Sequence, residues 1–175
     1  MEQAQTALQH LRSEADDVIA IAAFLRGKVE YDLARVVVAG SSVGGIVTFW
    51  ASGNFPIPLR GVIAQALGFE CAGPRGWTPK CDLLVDEMNK AAGVIKVPIF
   101  FQHASNDRQV PFGVSQRLYA ALLGTGRDVQ LRSYVAPDTL RNARGEVEGH
   151  WLFTPQHAAI WWEDYEGFLR RVLGQ

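Results

Sequence analysis

Four short apolar runs alternate with stretches of helical period along this chain of 175 residues. Strand and helix taking turns imply a parallel sheet with right-handed crossovers and helices on both faces. The opening segment is helical: Ala4, Leu8, Leu11, Ala15, Val18, Ala22 and Leu25 recur at steps of three and four, and Gly27 is a stop. Val36–Ala39 is apolar and β-branched, and reads as a strand buried on both faces. A glycine-rich turn, Gly40 to Gly45, leads into a short helix over Ile46–Ala51. The second strand is Val62–Leu67, followed by a loop over Gly68–Lys80 and a helix over Cys81–Ala92. Val97–Gln102 is the third strand, with Pro98 near its start, where a missing N–H costs least. A helix over Val114–Leu123 stops at Gly124; Val129–Val135 alternates apolar and polar residues as the fourth strand; Pro137–Gly149 is polar loop. The last helix opens with Thr154 as N-cap and Pro155 as its first residue. Its buried stripe is Ala158, Trp161, Trp162, Tyr165, Phe168, Leu169 and Val172. The whole reads as an α/β chain with a mostly parallel sheet of about four strands, in one domain over 1–175.

Composition narrows the function classes. Hydrophobic residues make up 48% and charged ones 20%, which suits a chain with a real core. The formal net charge is -1 and no block of like charge stands out, so neither nucleic acid nor a membrane surface is an expected partner. No basic n-region with an apolar h-region opens the chain, and no apolar run approaches the ~18–20 residues that span a bilayer. The two cysteines, Cys71 and Cys81, make no disulfide framework and no four-ligand zinc site. Two reduced thiols in a cytoplasmic protein are the plainer expectation, with a Cys71–Cys81 bridge across one loop left open.

Gly40-Ser41-Ser42-Val43-Gly44 matches G-x-S-x-G, a weak string by itself. Its setting, after a buried strand and at the start of a helix, is the one a nucleophile elbow requires. Such a turn forces Ser42 into an unfavourable backbone conformation, with glycines on either side removing Cβ clashes. It lifts the Ser42 hydroxyl above the carboxyl edge of the sheet and aims the Val43 N–H at a developing oxyanion. A phosphate loop would need a lysine after its second glycine, and a dinucleotide fingerprint would need G-x-G-x-x-G; neither is present.

Serine needs a base, and the base needs a third group to hold it. In a sheet of this kind they come in the order serine, acid, histidine, on loops past strand ends. Asp107 lies five residues past Gln102, and His150 lies between the fourth strand and the final helix. Asp138 is the rival acid. His157 is the rival base, while His103 ends a strand and His10 sits on the first helix. Ser41 occupies the variable position of the motif and should point elsewhere. Trp161 and Trp162 fall on a helical stripe and read as core. Trp77 and Trp151 lie in loops near the expected site, where packing and substrate binding are both open.

These stretches resemble the α/β hydrolases, closest to the dienelactone hydrolase-like and small esterase branches. The resemblance runs from about Ala15 to the C-terminus. Its stretches are Asp32–Arg35 leading into the turn, Ser42–Gly45, His103–Pro111 and Gly149–Phe153. It implies Asp107 as triad acid, from the pattern His–x–x–x–Asp–x–x–Val–Pro, and His150 as triad base, from Gly–His. It also implies that His103 is structural. The expected activity is hydrolysis of small carboxylic esters through an acyl-enzyme on Ser42, with no metal and no organic cofactor.

The chain corresponds to the C-terminal two-thirds of such a fold. One long helix precedes the elbow strand, so the loop that supplies the second oxyanion N–H is not expected here. The elbow strand becomes a sheet edge, and an apolar edge invites association. A homodimer covering that edge is expected, whose neighbouring subunit could supply the missing donor. A truncated product of a longer gene is the other reading of the edge. The alternative function is a non-catalytic remnant that serves as a binding or assembly module.

Overall fold

The computed structural model describes residues 2–28, 30–73 and 76–174. Helix α1 (Glu2–Leu25) buries Ala4, Leu8, Leu11, Ala15 and Ala22, the stripe its period requires, with Val18 and Leu25 half-buried. Strand β1 (Val36–Ser41) leads through the glycine turn into α2 (Val43–Gly53). The chain then runs β2 (Leu59–Gln65), α3 (Pro79–Ala92), β3 (Ile99–Ala104), α4 (Gly113–Gly124) and β4 (Val129–Tyr134). Two 3₁₀ turns, Gly149–Leu152 and Pro155–His157, precede α5 (Ala158–Leu173). Among the described residues no helix is long and apolar enough to cross a membrane.

The strands lie in the order β1-β2-β3-β4 and every neighbouring pair is parallel. Side chains alternate across the sheet, as the pleat dictates. Val62 and Ala64 of β2, and Ile99 and Phe101 of β3, face one layer with α2, α3 and α4, while α1 packs on α2. Ile63 and Phe100 face the other way, against Phe168 and Val172 of α5. The register sets Ser41 beside Gln65, Gln65 beside Gln102, and Ala104 beside Tyr134. The loops that leave β1, β3 and β4 therefore emerge on one rim.

Several local expectations shift. The expected burial of Val36–Ala39 on both faces gives way: Val36 to Val38 are half-buried and Ala39 is exposed, because β1 is an edge strand. β2 stops at Gln65 because Ala66 turns to a positive φ of 44°. β3 ends at Ala104, so Asp107 follows it by three residues, two closer than expected. Thr154 stands at a cap position but its side chain caps nothing, and Pro155 opens a 3₁₀ turn ahead of α5. Trp161 is buried, whereas Trp162 is 46% exposed and stacks on Tyr165. Successive helical residues are about 100° apart, so both tryptophans cannot face one sheet.

The thiols are not free. Cys71 and Cys81 are buried, 5.1 Å apart at Cα, and joined as a disulfide. The loop after β2 folds back onto the first turn of α3, where Thr78 Oγ1 donates to the Cys71 carbonyl. That brings the two residues within bridging distance, and the reduced-thiol expectation, one ground for a cytoplasmic setting, falls away. Of the loop expected over Gly68–Lys80, Pro74 and Arg75 lie outside the described residues.

Candidate active site

Ser42 sits between β1 and α2 with φ 55° and ψ -126°, a region that non-glycine residues avoid at a cost of about 1–3 kcal/mol. The neighbouring backbone pins this conformation. Ser42 N–H donates to the Gln65 carbonyl at 2.9 Å, and Gly68 N–H and Gly45 N–H donate to the Ser42 carbonyl at 3.1 and 2.9 Å. Gly40 is obligatory: a Cβ there would lie 2.2 Å from the Gly44 carbonyl oxygen. The same expectation fails for Gly44, whose Cβ would meet nothing within 4 Å. Val43 opens α2, so its N–H has no acceptor within the helix. Ser41 is exposed and takes no part in the Ser42 contacts.

The loop after β3 is built around Asp107. Its Oδ1 accepts from the N–H groups of Gln109 and Val110 at 2.9 and 2.8 Å. Its Oδ2 lies 2.9 Å from His150 Nδ1 and 3.2 Å from His103 Nε2. Burial alone would push this carboxyl up; hydrogen bonds from the His103 and His150 rings outweigh it and hold the group down at about 2. His103 is fully buried. Its Nε2 faces the Val110 carbonyl at 2.9 Å, so that nitrogen carries the hydrogen, and Nδ1 accepts from Ser115 Oγ at 2.7 Å. His103 thus braces the Asp107 loop from within the core.

His150 lies in the first 3₁₀ turn after the long loop from β4. Leu152 anchors that turn: its side chain is fully buried and its carbonyl accepts from Trp161 Nε1 at 3.1 Å. Because Nδ1 faces a carboxylate, it carries the ring hydrogen. Nε2 is then left bare, 2.7 Å from Ser42 Oγ, able to accept the hydroxyl proton. The structure brings Ser42, Asp107 and His150 together on one rim. Asp138 and His10 are exposed, and His157 is half-buried at the entry to α5, with none of them in these contacts.

Trp151 is 51% exposed, and its ring meets the His150 ring edge-on at 6.1 Å. It lines an open cavity of about 1190 Å³ together with Glu70, Arg108, Gln109, Pro111 and Arg144. The cavity reaches Asp107 but is not lined by Ser42 or His150. Trp77 is placed elsewhere. Its Nε1 donates to Asp82 at 2.9 Å, Arg117 stacks over its ring at 4.1 Å, and Gly113 packs beneath it. Sequence reasoning passed over Glu148, a buried carboxylate two residues before His150, which accepts from the N–H groups of Arg108 and His150. Nothing in a lone Glu-Gly-His string announces such a role.

No protein-family model matches the chain, and no curated protein matches it. Solved structures do. The chain is similar to esterase PE8, at 20% identity and TM-score 0.64, over 97% of this chain and 65% of that one. It is similar to an α/β hydrolase from a Medee basin deep-sea metagenome library, at 14% identity and TM-score 0.57, over 94% of this chain and 65% of that one. It is also similar to a Pyrococcus furiosus esterase, at 19% identity and TM-score 0.62, over 90% of this chain and 60% of that one. The chain thus spans less than two-thirds of each of these proteins, and at such identities the likeness is one of fold.

Proposed function

We propose that this chain, which has the α/β-hydrolase fold, is a serine hydrolase of small carboxylic esters. The observation that carries the reading is the relay from Ser42 Oγ to His150 Nε2 at 2.7 Å and from His150 Nδ1 to Asp107 Oδ2 at 2.9 Å. Ser42 Oγ attacks the ester carbonyl while His150 Nε2 takes its proton. The resulting imidazolium is stabilised by Asp107, which stays ionised. The tetrahedral oxyanion lies against the Val43 N–H at the positive end of α2. His150 then protonates the leaving alkoxide as the C–O bond breaks, which leaves an acyl group on Ser42. Water, deprotonated by His150, releases the acid and restores the serine. Each step uses groups of this chain and needs no metal or organic cofactor.

Trp151, exposed beside His150, offers an apolar wall for one arm of the substrate. Trp77 is already held by Asp82 and Arg117 and is assigned to packing. Pairing of two copies along the open edge of β1 belongs to the same proposal.

A fluorophosphonate probe and an activated acetyl ester test the reading. Labelling and hydrolysis are expected in the wild type; Ser42→Ala is expected to abolish labelling and to leave hydrolysis no more than about 10³–10⁴-fold above water. A wild type that is folded yet neither labelled nor hydrolytic is the outcome for a non-catalytic binding module.

A further inference from the structure

The acid and the base stand on separate loops, 43 residues apart in sequence. Something must fix the spacing between those loops, since a misplacement of about 1 Å can cost 10²-fold in rate. Asn106 exchanges two hydrogen bonds with Ala136 at the start of the second loop, and Arg108 pairs with Glu146 at the surface; two further stitches lie directly beside the pair. Gly149 N–H donates to the Asn106 carbonyl at 3.2 Å, and the loops lie so close that a Cβ on Gly149 would fall 2.6 Å from the Asp107 nitrogen. The second stitch is the Glu148 side chain. A single oxygen, Oε1, accepts from the Arg108 N–H at 3.0 Å and from the His150 N–H at 3.1 Å.

The Arg108 N–H belongs to the peptide that directly follows Asp107, and the His150 N–H to the peptide that directly precedes the base. One buried oxygen therefore spans the backbone units flanking both partners of the His150–Asp107 pair. Glu148 is only 2% exposed, and its own N–H is tied to the Leu140 carbonyl at 2.9 Å. Its buried oxygen is satisfied by the two backbone N–H groups that it accepts from. The mechanism above makes no use of this carboxylate.

We propose that Glu148 is a positioning residue, setting the distance and angle at which Asp107 holds the His150 ring. The proposal rests on the serine-hydrolase reading. It requires an acceptor at Oε1 and does not require the negative charge. Glu148→Gln, which keeps an oxygen acceptor, therefore serves as the rescue variant. Glu148→Ala and the near-isosteric Glu148→Met both remove it.

The test measures kcat and KM on an activated acetyl ester, the second-order rate of fluorophosphonate labelling, and thermal melting, on all four proteins. In the acceptor-free variants kcat and the labelling rate are expected to fall together by about 10–10²-fold, with KM within about threefold of wild type. Glu148→Gln is expected to restore most of that loss. The proposal is overturned if folded Glu148→Ala or Glu148→Met keeps kcat within about threefold of wild type, or changes KM alone. It is also overturned if Glu148→Gln is as slow as Glu148→Ala. Recovery of both acceptor-free variants only as unfolded protein assigns Glu148 to stability of the chain at large and overturns it as well. A wild type that is neither labelled nor active removes the hydrolase reading itself, which is a different result from an active wild type with indifferent variants.

Discussion

Asp107 meets two histidine rings and two backbone N–H groups on the rim. Its carboxyl sits at about 2 in the folded chain against an ordinary 3.8, so the unfolded state binds its proton first as pH falls. The stabilisation is fully present above about pH 4 and is lost as pH drops toward 2, and amounts to about 2 kcal/mol. Urea denaturation between pH 5 and pH 2.5 is expected to show this slope, and Asp107→Asn to flatten it. The same substitution is expected to lower kcat by about 10⁴-fold at neutral pH, because an amide no longer fixes His150 in the tautomer that leaves Nε2 bare. An unaltered pH slope in the variant would place the stabilisation on other carboxylates. His103 shows why residue type alone misleads. It lies on β3 itself and touches the same carboxylate, yet both its nitrogens are committed, to Ser115 and to Val110 and Asp107.

Among the elements, the turn between β1 and α2 has the least freedom. Ser42 keeps a left-handed φ because Gln65, Gly68 and Gly45 hold its backbone from three directions. The helix must therefore start within one residue of the strand, and the β1 and α2 backbones meet at Gly40. Gly40→Ala would push a methyl into the Gly44 carbonyl and is expected to cost more than about 4 kcal/mol, among the largest single-site effects known. Gly44→Ala meets open space within a helical turn and is expected to leave stability unchanged or raise it by up to about 1 kcal/mol. Melting temperatures of the two variants check the contrast; equal losses would show that the turn, and not one close approach, sets the requirement. The G-x-S-x-G string treats its two glycines alike, and the packing does not.

For the molecule as a whole, the open edge of β1 is one of the two sheet edges, with that of β4, that the described residues leave unpaired. β1 pairs only with β2, Ala39 is exposed, and α5 is the one described helix on its face of the sheet. Unpaired strand edges template pairing with another chain. Light scattering is expected to give twice the 19.3 kDa chain mass, with return to the single-chain mass on Ala39→Lys. A single-chain mass for the wild type at high concentration sinks this expectation and leaves the rim chemistry untouched.

The order of strands and helices, the tight turn at Ser42, and the meeting of Ser42, Asp107 and His150 on one rim were legible from residue order. The first two rest on short-range physics, helical and strand periods and the steric demand of a tight turn; the third rests on loops leaving parallel strands on one rim and, for Asp107 over Asp138, on the resemblance carried by Val110-Pro111. What lay beyond that reading depended on residues distant in sequence. The exposure of β1 and Trp162, the Cys71–Cys81 bridge, the freedom of Gly44, the packing role of Trp77 and the buried oxygen of Glu148 are decided by which surfaces meet. Periodicity says how a segment presents its side chains to a partner. Only the assembled layers say which partner arrives and how closely, because close packing is a property of the pair.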